Sequence, residues 1–495
     1  MMKKSLALVS LSLGMALSHN ASSAMADVVI PVSIYRQVNT RVQPSMAQVV
    51  IPVPINRQVL PPVRIRVNEP VPPPIYRPVP PPINRPVPPP VQTPVRIQVP
   101  PPINRQVSPP VQTPVPPAFP PRPSQVQPSA PLQPMNLGNN CTPSHGCLGW
   151  DEQLWEQMGQ SGDRQALLTA IDHSLSYLQK NSAIAIYQKY PIREITHDRV
   201  RRSLIRFRQL VVNSTSPAEL QAAVREEFTF YKSVGNDGKG TVKFTAYYEP
   251  IYTASRIRTE EYKYPIYRRP PDLDKWAKPH PKRLDLEGAD GLLGDRSKLR
   301  GLEMLWFRDR FDAYMIQIQG SAQIELTDGT KTSVGFAGGT DYPWTSIGGQ
   351  LSKDGKLAAN QLNMPGIINF FQTQPQEMNN YLPRWERFVF FQEKAGRPAT
   401  GSINVPVTAE RSIATDKSLM PPGALALVHT SFPYVTSNGQ LEYRTVSRFV
   451  LDQDTGSAIK GPGRVDYFMG SGKVAGDRAG VTGGNGTLYY LLLKN

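Results

Sequence analysis

Residues 241–248 carry the sequence TVKFTAYY, at the point where the pattern of the chain changes. β-Branched and aromatic residues dominate this stretch, which is typical of a β-strand. Further short runs of similar character follow, separated by turns that contain Gly or Pro. They predict strands at 313–319 (AYMIQIQ), 323–326, 332–334, 387–392, 424–429, 447–452 and 487–493. Many short strands joined by such turns favour a β-barrel or a β-sandwich.

Upstream of residue 240 the pattern predicts helices instead. Residues 150–181 place apolar side chains at helical spacing, and residues 197–212 form a second helical segment that is basic on one face. A third helix is predicted to begin at Ser216, because Ser is a good N-cap, Pro217 suits the first turn and Glu219 completes a capping box. The fold class is therefore α+β and mainly β, with a few helices ahead of the strands.

The N-terminus has the features of an export signal. Two lysines precede an apolar run at 6–17, and Ala24-Met25-Ala26 supplies small residues before Asp27. We therefore expect residues 1–26 to be a signal peptide and the mature chain to be exported to the periplasm or cell envelope. No Cys lies near the cleavage site, so a lipid anchor is not expected. No apolar run reaches the roughly 20 residues of a transmembrane helix.

A proline-rich tract follows the signal peptide. Of the 52 prolines, 33 lie between residues 27 and 135, and the segment 81–100 recurs with small changes at 101–120. Proline fixes φ and removes a backbone donor, so we expect residues 27–148 to be a disordered, extended Pro/Arg-rich stalk. Two roles fit this composition, a passive spacer and weak electrostatic adhesion to wall polymers.

The charge and the cysteine content limit the partners and cofactors. The formal net charge is +16, from 55 basic and 39 acidic residues. A basic exported protein suits an anionic partner such as the cell wall, whereas export argues against nucleic acid. An oxidising compartment would allow a short-loop disulfide between Cys141 and Cys147. Two Cys and six His form no metal site of recognised spacing, so neither a metal nor a cofactor is expected.

Familiar catalytic motifs are missing, but three aspartates stand out. Residues 235–241 (GNDGKGT) lack the spacing of a phosphate-binding loop, and no G-x-S-x-G elbow occurs in a strand-turn-helix setting. Asp416, Asp454 and Asp466 lie in glycine-rich surroundings near the C-terminus. Such an Asp often only hydrogen-bonds its own turn, but dense glycine also suits a site where a ligand approaches the backbone.

From residue 150 to 495 the chain resembles the membrane-bound lytic murein transglycosylase A family. The blocks that carry the resemblance occur in the family's order: FTAYYEP (244–250), IQIQGSAQIELTDG (316–329), GFAGGTDYPWTSIGGQL (335–351), FVFFQE (388–393), GSINVPVTAERSIATDKSLMPPGALALV (401–428), DTGSAIKGPGRVDYFMGSG (454–472) and AGDRAG (475–480). The last blocks also resemble a three-aspartate (3D) module, whose aspartates match Asp416, Asp454 and Asp466.

The resemblance implies a double-psi β-barrel divided by an inserted β domain. On this basis residues 149–251 hold the helical lead-in and the first barrel strands, and 252–386 form the inserted domain. Residues 387–495 complete the barrel, starting at FVFFQE.

The resemblance also implies the chemistry. The family cleaves the β-1,4 bond between N-acetylmuramic acid and N-acetylglucosamine in peptidoglycan glycan strands, and leaves 1,6-anhydromuramic acid ends. The family's single catalytic Asp matches Asp466, which would act first as general acid and then as base. Asp454 would support it, while Asp416 and Lys460 fit barrel and groove architecture.

The matching blocks contain further candidates for binding the sugars. Aromatic, amide and hydroxyl groups suit this role, and the candidates are Tyr247, Tyr248, Glu249, Gln319, Ser321, Tyr342, Trp344 and Ser346. Each could equally belong to the core or to a turn. Glu249 or Asp454 could instead act with water as a second catalytic carboxylate, which would make the protein a hydrolase, since hydrolases use a pair of carboxylates. A non-catalytic module that binds the cell wall is a third possibility.

Overall fold

The computed structural model describes residues 130–135, 148–155 and 162–495. The predicted signal peptide, most of the predicted stalk, and both Cys141 and Cys147 lie outside these residues. Within them, no helix is long and apolar enough to cross a membrane.

The N-terminal part of the described chain is mostly helical. Its elements are β1 (Leu132–Met135), α1 (Arg164–Leu178), α2 (Asn181–Gln188), α3 (His197–Asn213), α4 (Pro217–Glu227), β2 (Phe228–Ser233) and β3 (Val242–Glu249), with a 3-10 turn at Glu152–Leu154. The predicted cap at Ser216 is confirmed, because its hydroxyl accepts a hydrogen bond from the backbone N–H of Glu219 at 3.2 Å. The Glu219 carboxylate reaches back to Thr215, one residue earlier than predicted.

Two predictions in this region are wrong. Leu132–Met135, predicted as disordered stalk, forms a strand that pairs antiparallel with β2. Leu132 is buried there, and Pro134 is tolerated because the strand lies at the edge of the sheet. The regular helix predicted from residue 150 begins only at Arg164.

The middle of the chain contains mixed elements. They are β4 (Ile251–Ala254), β5 (Tyr264–Tyr267), α5 (Arg283–Glu287), β6 (Glu303–Phe307), α6 (Arg310–Gln319), β7 (Ser321–Leu326), β8 (Lys331–Gly339), α7 (Ile347–Lys353), α8 (Met364–Thr373), α9 (Met378–Tyr381) and β9 (Val389–Glu393). Short 3-10 turns occur at Leu273–Lys275, Gly294–Arg296, Ala359–Gln361, Pro375–Glu377 and Leu382–Arg384. A four-stranded sheet has the order β4-β7-β8-β9, and β5 pairs with β6.

One strand prediction and one domain assignment in this part are also wrong. Residues 313–319 belong to helix α6, which Asp309 caps by accepting a hydrogen bond from the Phe311 N–H at 2.7 Å. Most side chains of α6 are buried, so the run shows no clear helical period and its alternation misleads. The FVFFQE block, predicted to resume the barrel, forms β9 and pairs with β8 in the four-stranded sheet.

The C-terminal part supplies most of the barrel. Its elements are β10 (Ser412–Ala414), β11 (Leu425–Val435), β12 (Leu441–Asp454), β13 (Arg464–Ser471), α10 (Gly472–Val481) and β14 (Gly483–Leu493). The strands pair in the order β14-β11-β12-β10-β13-β3, and β3 pairs again with β14. This ring of six strands is the closed barrel of the predicted mainly β, α+β fold.

The barrel and the inserted sheet have separate hydrophobic cores. The first core joins the barrel strands to helices α1, α3 and α4, and the second fills the space between α6, α8 and the four-stranded sheet. A buried ionic cluster also ties the N-terminal segment to the barrel. The Arg411 guanidinium pairs with Asp151 and Asp163, and Asp151 also pairs with Arg448.

Candidate active site

Two of the three aspartates lie in one row across the barrel wall. Ala414 of β10 pairs with Asp454 of β12 on one side and with Asp466 of β13 on the other. Asp466 in turn pairs with Thr245 of β3. Neighbouring strands are about 4.8 Å apart, so the Cα atoms of the two aspartates are separated by roughly 10 Å. Ala414 is the residue between them in this row.

Asp466 is half-buried and has few polar partners. Its Oδ1 accepts a hydrogen bond from the Thr245 hydroxyl at 2.6 Å. Burial raises the pKa of Asp466 to about 6, and the negative charge of Asp454 adds to this increase. The Thr245 hydrogen bond and the positive charge of Arg464 act in the opposite direction. A carboxyl group with this pKa can both give and take a proton near neutral pH.

Asp454 is held much more firmly. Its Oδ1 accepts hydrogen bonds from the backbone N–H groups of Ser402 at 2.9 Å and Thr455 at 2.8 Å. Its Oδ2 accepts a hydrogen bond from the Tyr247 hydroxyl at 2.9 Å. Burial raises the pKa of Asp454, although these donors and the nearby Lys417 charge oppose that effect. Three donors therefore fix this carboxylate, on the strand that β10 separates from the strand of Asp466.

Asp416 and Lys460 belong to the surrounding loops. Asp416 accepts hydrogen bonds from the hydroxyl of Ser418 at 2.7 Å and the backbone N–H of Gly461 at 2.9 Å. Burial favours a higher pKa for Asp416, but these hydrogen bonds and the Lys460 charge outweigh it and hold the pKa below its usual value. The Lys460 side chain is exposed. Asp416 thus joins the loop after β10 to the loop before β13.

A group of predicted binding residues lies where β3 leaves the barrel. Besides its hydrogen bond to Asp454, Tyr247 packs its ring against Phe468, with 5.1 Å between the ring centroids. The backbone N–H of Tyr248 donates to the Gln319 side-chain oxygen at 3.1 Å. Ser321 is half-buried at the start of β7. Strand β3, which pairs with the strand of Asp466, therefore runs directly into β4 of the inserted sheet.

Glu249 lies at the same junction but inside the protein. It is 2% exposed, and its Oε2 accepts hydrogen bonds from Ser471 at 2.7 Å and from Gln323 at 3.0 Å. Glu249 lies four residues beyond Thr245 on β3, which corresponds to about 13 Å along an extended strand. These contacts link the barrel to β7 and do not bring Glu249 to Asp466.

The other three predicted binding residues have structural partners in the inserted domain. The Tyr342 hydroxyl donates to the carbonyl oxygen of His280 at 2.5 Å. Trp344 packs edge-on against Trp385, with 4.8 Å between the ring centroids. Ser346 caps α7 by accepting a hydrogen bond from the Gly349 N–H at 3.1 Å. No hydrogen bond joins any of the three to the aspartate row within the described part of the chain.

Sequence reasoning missed several residues that hold the site. Thr245 bonds Asp466, Ser402 bonds Asp454, and Lys417 donates both to the Asp454 carbonyl oxygen and to the buried Asp452 carboxylate. Thr245 was the easiest to find, because it is two residues before Tyr247 and a strand places both on one face. The described residues include no group of three or more His, Cys, Asp or Glu that could hold a metal ion.

Two family models match the chain. The "MltA specific insert domain" matches residues 243–392, and the "3D domain" matches residues 411–492. Membrane-bound lytic murein transglycosylase A of Escherichia coli (strain K12) is 31% identical over 259 residues, which is 52% of this chain and 67% of the relative. Its homolog from Buchnera aphidicola is 32% identical over 276 residues, which is 55% of this chain and 72% of the relative.

Solved structures share the fold. A membrane-bound lytic murein transglycosylase from Agrobacterium tumefaciens has a TM-score of 0.54 at 26% identity, covering 67% of this chain and 93% of its own. MltA of E. coli with bound chitohexaose has a TM-score of 0.56 at 24% identity, covering 74% of this chain and 96% of its own.

Proposed function

The chain belongs to the membrane-bound lytic murein transglycosylase A family and is a lytic murein transglycosylase, and we propose that Asp466 is its catalytic residue. The enzyme cleaves the β-1,4 bond between N-acetylmuramic acid and N-acetylglucosamine in peptidoglycan, without adding water. The C6 hydroxyl of the muramic acid takes the place of water as the nucleophile: it attacks C1 of the same sugar and forms a 1,6-anhydro ring.

In this proposal one carboxyl group acts twice. Asp466 first gives its proton to the glycosidic oxygen as the bond to C1 breaks, which releases the N-acetylglucosamine side as a free hydroxyl. The resulting carboxylate then takes the proton from the C6 hydroxyl as that oxygen bonds C1. Asp466 ends protonated again, so the proton balance closes without water.

The observation that carries the proposal is the contrast between the two aspartates of the row. Asp466 has a pKa raised to about 6 and, within the described residues, one side-chain hydrogen bond, from Thr245. Asp454 has three hydrogen-bond donors on its two oxygens. Asp466 is thus suited to proton transfer. The fixed charge of Asp454 helps to keep the pKa of Asp466 raised.

We propose that the sugars bind on both sides of Asp466. Tyr247, Tyr248, Gln319 and Ser321 lie nearest to it along the chain path from β3 to the inserted sheet, whereas Tyr342, Trp344 and Ser346 would act by shaping the inserted domain. The structure of E. coli MltA with bound chitohexaose supports an oligosaccharide as the class of ligand.

Digestion of purified sacculi tests the function. The wild-type protein is expected to release muropeptides that end in 1,6-anhydromuramic acid, lighter by one water than the hydrolysis products. Asp466→Asn should release none while still binding sacculi, and Asp237→Asn, which changes an exposed turn aspartate, should behave as wild type. Reducing ends from the wild type would contradict the transglycosylase reaction, and full activity of Asp466→Asn would contradict the role of Asp466.

We also infer that residues 1–26 direct export and that the Pro/Arg-rich tract localises the enzyme to the wall. Its arginines can be attracted to anionic wall polymers. A variant lacking residues 27–129 keeps strand β1 and should therefore fold, but less of it should co-sediment with sacculi at low salt. Equal co-sedimentation of the two proteins would contradict this localising role.

A further inference from the structure

We propose that Arg464 is a positioning residue that acts through Thr245 to fix which oxygen of Asp466 carries the catalytic proton. This inference rests on the proposed role of Asp466. Three side chains form the arrangement: Arg464 contacts Thr245, and Thr245 contacts Asp466.

The geometry follows from the pairing of β13 with β3. Arg464 and Asp466 are two residues apart on β13 and so project from the same face. Thr245 lies directly across from Asp466 on β3. The Arg464 Nη2 donates a hydrogen bond to the Thr245 hydroxyl oxygen at 3.0 Å, and the hydroxyl donates to Asp466 Oδ1 at 2.6 Å. The Arg464 guanidinium is half-buried and forms no ion pair among the described residues.

The direction of these hydrogen bonds fixes the proton. A guanidinium can only donate, so the Thr245 hydroxyl must accept from Arg464 and turn its own hydrogen towards Asp466. Oδ1 of Asp466 is then an acceptor, and the carboxyl proton is placed on Oδ2. A donor polarised by a positive charge also makes the stronger hydrogen bond. In this arrangement Oδ2 is the oxygen that transfers the proton to the glycosidic oxygen.

Arg464 also limits how far burial raises the proton affinity of Asp466. Four groups face this carboxyl from the elements around it: Arg464 on its own strand, Thr245 on β3, and Asp454 on β12 with its partner Tyr247. Arg464 supplies the positive charge among them. Without it, Asp466 would hold its proton more tightly and would be a weaker acid in the first step.

A double-mutant cycle tests the proposal. Arg464→Met removes the donor and the charge, Thr245→Val removes the hydroxyl, and the double variant removes both. Hydrogen bonds to charged groups contribute more than neutral ones. On purified glycan strands, each single variant should therefore lower kcat roughly 10- to 100-fold with little change in KM. Because the hydrogen bond of Arg464 reaches Asp466 only through Thr245, the fold loss of kcat in the double variant should be clearly smaller than the product of the two single losses.

The pH profile separates positioning from a purely structural role. The fall of kcat/KM at high pH, where Asp466 loses its proton, should move to higher pH in Arg464→Met. Lys243→Met is the matched control, since Lys243 pairs with Arg464 in register and is exposed, and the structure gives it no bond to Thr245. This control should keep the wild-type profile and kcat. Arg464→Lys, which keeps the charge, should keep the wild-type profile but not the full kcat.

Two results would overturn the proposal, and a third would overturn the proposed function beneath it. Additive losses in the cycle, or an unchanged pH profile in Arg464→Met, would overturn the proposal while leaving Asp466 as the catalytic residue. Melting temperatures identify variants that fail to fold, and Thr245→Ser, which restores the hydroxyl, should recover most of the kcat. Activity in Asp466→Asn would instead overturn the proposed function on which the inference depends.

Discussion

Replacing Asp466 with Asn should remove activity and at the same time make the protein more stable at neutral pH. Asn has the same shape, is always neutral, and can still accept the Thr245 hydrogen bond through Oδ1. The substitution therefore removes the proton donor and the cost of a half-buried negative charge, and changes little else.

The magnitude follows from the pKa of Asp466, which burial raises from 3.8 to about 6. A raised carboxyl pKa means that the folded state binds the proton more tightly than the unfolded state does. The stability that this proton provides is complete below pH 3.8 and is lost as pH rises through about 6. This difference in pKa corresponds to at most about 3 kcal/mol in the free energy of unfolding. Because Asp466 is partly exposed, we expect a change of roughly 1–3 kcal/mol. The melting temperature should rise by roughly 2–6 °C.

Thermal unfolding of both proteins at pH 7.5 and at pH 4 measures the effect. We expect Asp466→Asn to melt higher at pH 7.5 and nearly together with the wild type at pH 4. Asp237→Asn is the control of opposite sign. Hydrogen bonds from Thr241 and Lys239 lower the pKa of Asp237 to about 2, so its charged form favours the folded state. An Asp466→Asn variant that is inactive but less stable at pH 7.5 would refute the reasoning from burial.

Three further substitutions test other parts of the structure. Arg411→Met should lower the free energy of unfolding, measured with urea, by about 3–5 kcal/mol, because it leaves the buried Asp151 carboxylate without its closest guanidinium; a loss under 1 kcal/mol would contradict this. Tyr247→Phe removes the hydrogen bond to Asp454 and should lower kcat roughly tenfold with unchanged anhydro products; unchanged kcat would show that this bond does not support the site. Glu249→Gln should still form only anhydro ends by mass spectrometry, whereas abolished cleavage would point to a second catalytic acid.

The parts of the fold that local sequence determines were predicted well. The cap at Ser216 depends on neighbouring residues alone, so its position could be inferred directly. Residues 313–319 were misassigned because a short run that is buried on nearly all sides shows no period that distinguishes a helix from a strand. The strand at Leu132–Met135 was missed because two prolines disguise an edge strand that depends on its partner, β2.

In the site too, residues within a local sequence block could be predicted, whereas contacts between distant residues could not. The resemblance of residues 454–472 to the family was enough to propose Asp466 as the catalytic residue. The residues that act on it come from distant parts of the chain: Thr245 lies 221 positions away, and Ser402 lies 52 positions from the Asp454 that it holds. Only the closed barrel brings these strands and loops together, so composition and spacing could not reveal them.

The contacts of Asp454 explain why this barrel can work with one catalytic carboxyl group. A hydrolase needs a second carboxylate that is free to attack the sugar or to activate water. Here the second carboxylate accepts hydrogen bonds from Ser402, Thr455 and Tyr247, so both of its oxygens are already engaged. It can raise the proton affinity of Asp466 through its charge, but three donors already occupy most of its roughly four acceptor positions, which disfavours a second role in activating water. Under the proposed mechanism the nucleophile must then come from the substrate, and the C6 hydroxyl of the muramic acid is the group that fulfils this requirement.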